Sequence, residues 1–276
     1  MRIPAILFTF LLAASSFSLP SIITKKSYVP EKADQTILAI FAHPDDEILV
    51  SPLLAKYARQ GVHVYLAIAT SGEQGVMPHA HIPAGDSLRN IRSEEARCAA
   101  RELHINPPIL LGLGDGKLST NESYAALHRK IDSLFAALHP DVVLTWGPEG
   151  GYGHPDHRAV SNIVTEVFQQ GGKNQPGKLL YGSFPTEALN DLPKFKTFVG
   201  TWLSTSFHTV EEKYLTYRVP YDDLDLKTVR ASYACHRSQW TPEMEDDIFL
   251  LLGKAGKVAF LRPWTGGGEI KKDLFQ

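Results

Sequence analysis

Short apolar runs alternate with longer amphipathic segments over the first two thirds of the chain, a pattern typical of a parallel α/β fold. Residues 36–41 and 62–69 are apolar runs that predict buried strands, and residues 47–60 between them have the spacing of a helix. Together they predict a β-α-β unit. The same alternation predicts helices at 87–103, 124–138 and 156–169 and strands at 109–111 and 142–145.

The pattern changes after Gly171-Gly172. Further strands are predicted near 179–184 and 214–219, and further helices near 224–236 and 243–252. Alternating strands and helices favour a mostly parallel sheet with helices on both faces. We therefore expect an α/β fold, with one domain over residues 35–276 and additional C-terminal strands and helices.

The composition excludes several classes of function. A chain of 276 residues with 43% hydrophobic residues and a net charge of -2 buries a full core, and no basic stripe predicts a nucleic-acid partner. The dinucleotide fingerprint G-x-G-x-x-G is missing after the first predicted strand, where residues 41–45 read F-A-H-P-D. Gly112 to Gly116 lacks the spacing of that fingerprint, so nucleotide binding is not expected.

The first residues have the pattern of an export signal. Met1-Arg2 precedes an apolar run over residues 3–14, and small residues at 13–18 provide a cleavage zone. We exclude about the first 20 residues from the fold as a signal peptide and expect an exported protein. A retained signal anchor is the alternative, but the run is shorter than the ~20 residues that span a bilayer. No stable membrane span is expected after cleavage.

The two cysteines, Cys98 and Cys235, are compatible with one disulfide or with none. Neither has a second cysteine near it, so a cysteine-based zinc site is excluded.

Two short polar segments carry the candidate chemistry. Residues 42–47 read A-H-P-D-D-E and residues 153–157 read G-H-P-D-H, and each follows a predicted strand. Ligands bind at the carboxyl edge of a parallel sheet, so both segments are expected there. Histidine nitrogens and a carboxylate are common ligands of a catalytic zinc, which keeps one position open. The spacing does not decide between Asp45 and Asp46, or between His154 and His157.

Other interpretations of these segments have to be weighed. The carboxylates could only favour the positive end of a helix. Two histidines and one carboxylate also form the iron site of non-haem oxidoreductases. An exported carbohydrate- or metal-binding protein without turnover is a third alternative. Helix-end carboxylates do not explain both segments at matching strand ends, and the iron site gives no reason for Asp45 or for the second segment. The binding protein stays open as an alternative to the hydrolase.

The two segments together resemble the PIG-L/LmbE-like family of zinc-dependent N-acetylglucosaminyl deacetylases, over residues 35–170. The resemblance implies a Rossmann-like three-layer fold and removal of an acetyl group from the amide of an N-acetylglucosamine-type sugar or glycoconjugate. It implies Zn2+, or another divalent metal such as Fe2+, as the cofactor. It further implies zinc ligands at His43, Asp46 and His157, a general base at Asp45, an oxyanion-stabilising His154, and an Asp156 that orients a histidine.

Substrate contacts are implied by weaker matches. Arg92 with Glu95 resembles the family's R-x-x-E-A helix, and His236 lies in a segment that resembles H-x-S-Q. Asp115 resembles a position that binds sugar hydroxyls. A solvated helix face for Arg92 and an Asp-Gly turn for Asp115 are the alternatives. Neither the particular N-acetyl sugar nor the oligomeric state follows from the sequence.

Overall fold

One seven-stranded sheet forms the centre of the structure, a computed structural model that describes residues 34–190 and 194–276. The predicted signal peptide lies outside these residues. In chain order the strands are β1 (Thr36–Phe41), β2 (His63–Thr70), β3 (Ile109–Leu113), β4 (Val142–Trp146), β5 (Lys178–Ser183), β6 (Tyr217–Pro220) and β7 (Val258–Pro263). They lie side by side in the order β3-β2-β1-β4-β5-β7-β6.

The strands from β3 to β5 are parallel, whereas β7 is antiparallel to both β5 and β6. The prediction of a mostly parallel α/β sheet is therefore confirmed. The helices that the structure describes are α1 (Ser51–Arg59), α2 (Asp86–Glu102), α3 (Asn121–Leu138), α4 (Gly150–Gly153), α5 (Pro155–Gln170), α6 (Phe198–Ser206), α7 (Asp223–Tyr233) and α8 (Pro242–Lys254).

Each face of the sheet has its own core, because successive side chains of a strand point to opposite faces. In β1, Ile37 and Phe41 pack with α1, α2 and α6 to α8, whereas Leu38 and Ile40 pack with α3 and α5. All four of these side chains are fully buried. A strand that is apolar at every position is therefore explained by helices on both faces.

The direction of strand order reverses between β1 and β4. The chain proceeds from β1 through β2 to β3 on one side, and then returns to place β4 on the other side of β1. Residues Ile37, Leu38 and Ala39 pair in parallel with Val142, Val143 and Leu144. This reversal leaves a crevice at the carboxyl ends of the two strands, where ligands bind in open α/β sheets.

The first predicted helix begins later than expected. A short 3-10 helix, Asp46–Leu49, follows β1, and α1 starts only at Ser51. Val50, at φ -120° and ψ 0°, lies outside the helical region and separates the two segments. The predicted strand at 214–219 likewise begins at Tyr217, because Glu212–Tyr214 form a 3-10 turn.

Helix α6 and strand β7 were not predicted from the sequence. The sequence of α6, FVGTWLSTS, has no clear polar face, and β7 is defined by its antiparallel pairing with β5 and β6. No helix among the described residues is both long and apolar enough to cross a membrane.

Cys98 and Cys235 form a disulfide, which the sequence left open. The bond joins α2 to the segment that follows α7 and closes a loop with a sequence separation of 137 residues. It therefore ties the C-terminal part of the chain to the parallel half of the sheet.

The start of α6 is fixed to α8 by the buried side chain of Asp247. Its carboxylate accepts hydrogen bonds from the amides of Lys196 and Thr197 and, at 2.6 Å, from the Thr197 hydroxyl. Burial alone would raise the pKa of Asp247, but these hydrogen bonds outweigh it and lower the pKa below its ordinary value.

Reduction of the disulfide is expected to lower the free energy of unfolding by about 2–4 kcal/mol, because the unfolded chain regains the freedom that the long loop had lost. Urea unfolding with and without dithiothreitol measures this change. The double variant Cys98→Ala/Cys235→Ala is the control and should not respond to dithiothreitol. An equal midpoint for the oxidised and reduced protein would contradict the prediction.

Asp247→Asn is expected to lower the free energy of unfolding at pH 7 by about 1–3 kcal/mol. The folded pKa of Asp247 is lowered, so its contribution is complete above the unfolded pKa of about 4 and disappears as the pH falls through the folded value. Urea unfolding from pH 7 to pH 3 should show the difference shrinking. Asp246→Asn is the control, since Asp246 is half exposed on the same helix.

Candidate metal centre and active site

The two predicted polar segments meet in the crevice between β1 and β4. The first leaves the end of β1 and contains His43 and Asp46, and the second follows β4 and contains His157. The ring nitrogens His43 Nδ1 and His157 Nε2 lie 3.1 Å apart, although 114 residues separate them in the chain. The expectation that both segments lie at one edge of the sheet is met.

The carboxylate of Asp46 is oriented by its neighbours. One oxygen, Oδ2, accepts hydrogen bonds from the amides of Ala42 at 3.0 Å and His43 at 2.9 Å and from Trp146 Nε1 at 3.2 Å. The other oxygen, Oδ1, lies 3.1 Å from His157 Nε2. Because Oδ2 is fully engaged by donors, Oδ1 is directed into the cluster.

His157 is held with its Nε2 lone pair facing the cluster. The ring is fully buried and stacks on Trp146, with centroids 4.6 Å apart and planes 7° from parallel. Its Nδ1 lies 3.2 Å from the carbonyl oxygen of Gly150, which only accepts, so Nδ1 carries the proton. This backbone contact is the arrangement that fixes the tautomer of a metal-binding histidine.

His43 lies between three carboxylates. Its Nδ1 is 3.7 Å from Asp46 Oδ2, and its Nε2 is 3.1 Å from Asp115 Oδ1 and 3.6 Å from Asp156 Oδ2. Burial lowers the pKa of His43, but the three carboxylates outweigh it and raise the pKa well above its ordinary value. A protonated His43 or a bound metal ion would balance this buried negative charge.

The donors in this cluster fit a metal ion. His43, Asp46 and His157 are buried, and His157 Nε2 lies 3.1 Å from both His43 Nδ1 and Asp46 Oδ1. Two groups of potential ligands have donor atoms that all lie within 4.8 Å of one another, namely His43 with His154 and His157, and His43 with Asp115 and Asp156. Both contain His43 and the first also contains His157, whereas ligation by the set His43, Asp46 and His157 stays a prediction.

Asp45 stands beside this cluster in a strained conformation. Its left-handed backbone is held by its own amide, which donates to Glu47 Oε2 at 2.9 Å. Its carboxylate accepts from Trp240 Nε1 at 2.9 Å and from Arg92 at 3.2 Å. Burial raises the pKa of Asp45, and Arg92 opposes that rise without cancelling it. The group is therefore oriented, and its pKa is moved toward that of a general base.

One face of α2 connects the carboxylate of Asp45 to the C-terminal part of the chain. Arg92, Glu95 and Cys98 are three residues apart and lie on the same side of the helix. Arg92 reaches Asp45, Glu95 accepts from the amide of Ser238 at 2.7 Å, and Cys98 bonds Cys235. Arg92 is only 4% exposed and Glu95 only 9%, so the alternative of a solvated helix face is wrong.

His154 and Asp156 lie at the start of α5, beside the cluster. His154 caps α5, with Nδ1 accepting from the amide of Asp156 at 3.2 Å. Burial first, and then the neighbouring rings of His43 and His157, lower the pKa of His154, so the neutral ring is favoured and Nε2–H is its free donor. The Asp156 carboxylate accepts from the amides of Gly116 and Leu118 and lies near His43 rather than His154.

The predicted substrate contacts are all buried and have protein partners. Arg92 also donates to the carbonyls of Gly72 and Pro44. Asp115 accepts from the amide of Gln74 at 2.8 Å in addition to its contact with His43. His236 Nε2 lies 2.7 Å from Glu47 Oε1, on the opposite side of Glu47 from Asp45. Their roles toward a substrate stay predictions.

Sequence reasoning missed three residues that orient the site. The indole N–H groups of Trp146 and Trp240 donate to the carboxylates of Asp46 and Asp45, respectively. Glu47 links Asp45 to His236. Glu47 belongs to the first motif, whereas no local signal marks the tryptophans, because their partners lie 100 and 195 residues away.

Comparison with known families gives a match to the part of the chain that contains both polar segments. Residues 38–168 match the family described as PIG-L, GlcNAc-PI de-N-acetylase. The chain therefore contains a PIG-L family domain, which spans the sheet from β1 to β4 and both polar segments.

Curated relatives resemble part of the chain. A 1D-myo-inositol 2-acetamido-2-deoxy-alpha-D-glucopyranoside deacetylase of Rhodococcus opacus is 34% identical over 161 residues, which are 51% of this chain and 55% of that protein. The chain thus spans about half the length of the curated relatives it matches.

Solved structures share the fold over most of the chain. N,N'-diacetylchitobiose deacetylase from Pyrococcus horikoshii has a TM-score of 0.59 at 20% identity and covers 83% of each chain. GalB, the 4-carboxy-2-hydroxymuconate hydratase of Pseudomonas putida, has a TM-score of 0.58 at 15% identity, over 87% of this chain and 99% of its own. Since a deacetylase and a hydratase share this fold, the reaction has to be argued from the site.

Trp146→Phe is expected to weaken binding of a divalent cation about 10- to 100-fold, because it removes one donor to Asp46 Oδ2 while keeping an aromatic ring against His157. Competition between the protein and a chromogenic chelator for Zn2+ measures the change. Trp264→Phe is the control, since Trp264 is 40% exposed and packs on Phe168. Equal affinities for the two variants would show that Trp146 does not orient a ligand.

Proposed function

We propose that this protein is a metal-dependent N-deacetylase that hydrolyses the acetyl amide of an N-acetylglucosamine-type sugar or glycoconjugate. The observation that carries the proposal is the convergence of His43, Asp46 and His157 beside Asp45. The PIG-L domain and the deacetylases among the relatives support it.

The metal we propose is Zn2+, with another divalent ion such as Fe2+ as the alternative. His43 Nδ1, Asp46 Oδ1 and His157 Nε2 would hold it and leave the open position of a catalytic site. Zinc in such a site acts as a Lewis acid toward a carbonyl and lowers the pKa of water to about 7.

The residues around the metal ligands have distinct tasks. Asp45 takes the proton of the attacking water and holds it for the leaving amine, and Trp240 and Arg92 keep its carboxylate in place. His154 donates from Nε2–H to the oxygen that becomes negative when the acyl carbon is attacked, which is worth about 3 kcal/mol for one aligned donor. Asp156 acts on His43, whose ring it faces. The sugar would be contacted by Asp115, Arg92 and His236.

We also propose that the protein is exported. The charged and apolar pattern at the start of the chain is the basis for this, and a disulfide is the kind of bond that persists in oxidising compartments. A cell-envelope or extracellular glycan would then be the substrate.

The decisive experiment is acetate release from a panel of N-acetyl sugars with and without a chelator. Asp45→Asn should retain the zinc of the unmodified protein, measured by mass spectrometry, and lose activity about 100- to 10,000-fold because the base is gone. Asp86→Asn is the matched control, since the Asp86 side chain is 87% exposed.

A binding protein without turnover would keep its ligand affinity in Asp45→Asn and release no acetate in either form. Purified protein that contains no metal, or acetate release that survives Asp45→Asn, would contradict the mechanism. An iron oxidoreductase would instead require iron and consume oxygen.

A further inference from the structure

A cavity of about 270 Å3 opens directly on the predicted base and on a predicted metal ligand. Asp45 and Asp46 line it, and Gln239 is the one other described lining residue that is neither apolar nor aromatic. The remaining lining residues are Met, Ile, Leu, Phe, Trp or Tyr. A group that fills this space would therefore be attached to the bond that the site cleaves.

Most of the cavity wall comes from parts of the chain outside the PIG-L match. Helix α6 contributes Phe198 and Trp202, and helix α8 contributes Ile248 and Leu251, all beyond residue 168. The Asp247 hydrogen bonds join these two helices at the start of α6. The cavity is thus built by the C-terminal segments that the family match does not include.

The cavity wall is poorly suited to a sugar. The hydroxyls of a sugar ring need hydrogen-bond partners when they leave water. Trp240 Nε1 already donates to Asp45, and the Gln239 amide donates to the carbonyl of Gly75. The buried Tyr233 hydroxyl has no partner among the described residues, and the Tyr152 hydroxyl and the Trp202 indole N–H are the other polar groups of the aromatic lining, which are few for the hydroxyls of a sugar ring. An alkyl chain requires no such partners and matches walls of this composition.

The opposite side of the cluster is polar. The cavity touches Asp46, which lies at the Nδ1 edge of His43, but neither His43 nor Asp115 lines it. Asp115 lies at the Nε2 edge of the same ring, together with the loop that contains Gln74. An amide at the metal site therefore has a polar surface on one side and an apolar cavity on the other.

We propose that the acyl group of the substrate is longer than acetyl and that its alkyl chain occupies this cavity while the amino sugar lies on the polar side. The inference rests on the proposed hydrolase. Water adds to the acyl carbon, the C–N bond breaks, the acyl group leaves as a carboxylate, and the amine takes up a proton. The protein is then an N-acyl amino-sugar deacylase that prefers chains of medium length.

A series of N-acylglucosamines tests this preference in the full-length protein. The acetyl, butanoyl, hexanoyl and octanoyl compounds all release glucosamine, which an amine-reactive fluorophore detects equally for each. Burying one methylene is worth about fourfold in kcat/KM, so we expect at least tenfold from acetyl to hexanoyl. The octyl and methyl glycosides of N-acetylglucosamine form a second arm, in which the octyl chain should bring no gain.

A pair of variants links the preference to the cavity. Phe198→Ser should lower the ratio of octanoyl to acetyl kcat/KM about three- to tenfold. This ratio does not depend on the fraction of protein that is folded. Leu224→Ser is the matched control, because both side chains are exposed, at 55% and 61%, in the first turn of a helix, and Leu224 does not line the cavity.

The outcomes separate this inference from the proposed function. Hydrolysis of the acetyl compound with slower cleavage of longer chains would overturn the inference and leave the deacetylase. A gain from the octyl glycoside alone would overturn it too, since the chain would then belong to the sugar side. Release of no glucosamine from any compound would overturn the hydrolase and this inference with it.

Discussion

The parallel pairing of β1 with β4 is the constraint on which the rest of the structure depends. Both strands run in the same direction and pair from Ile37 with Val142 onward, so their carboxyl ends lie side by side. The Thr145 hydroxyl adds a hydrogen bond across this pair, to the carbonyl of Ile40 at 2.7 Å. Two motifs more than one hundred residues apart in the chain are thereby placed within a few ångströms of each other.

Around the two strands β1 and β4, the side chains of Asp46 and His157 are each fixed by hydrogen bonds at the atom that faces away from the cluster. Asp46 is held through Oδ2 and His157 through Nδ1, so the remaining oxygen and nitrogen are directed toward each other. Because donors occupy Asp46 Oδ2 and an acceptor faces His157 Nδ1, the lone pairs of Asp46 Oδ1 and His157 Nε2 point into the cluster. A cation bound there would satisfy them. The strained backbone of Asp45 persists because Glu47, itself bound to His236, accepts its amide hydrogen.

The C-terminal part of the chain completes this site and makes one side of it apolar. Ser238 and Cys235 attach it to α2, and Trp240 reaches Asp45 from the same segment. Helices α6 and α8 then form apolar walls on one side of the predicted metal ligands, while Asp115 keeps the other side polar. A deacetylase and a hydratase match 83% and 87% of this chain, so these elements belong to the shared fold and the reaction has to be argued from the side chains at the site.

The sequence by itself determined the parallel sheet and most element positions, because apolar periodicity is a local signal. The ligands His43, Asp46 and His157 were implied by the resemblance of two short motifs to a family, and they stay a prediction. The sequence also predicted that both motifs lie at one edge. Only the tertiary structure decided the disulfide, the antiparallel β7, helix α6 and the roles of Trp146 and Trp240. Those features join residues distant in the chain, and pairings of that kind leave no periodic pattern in the segments that make them.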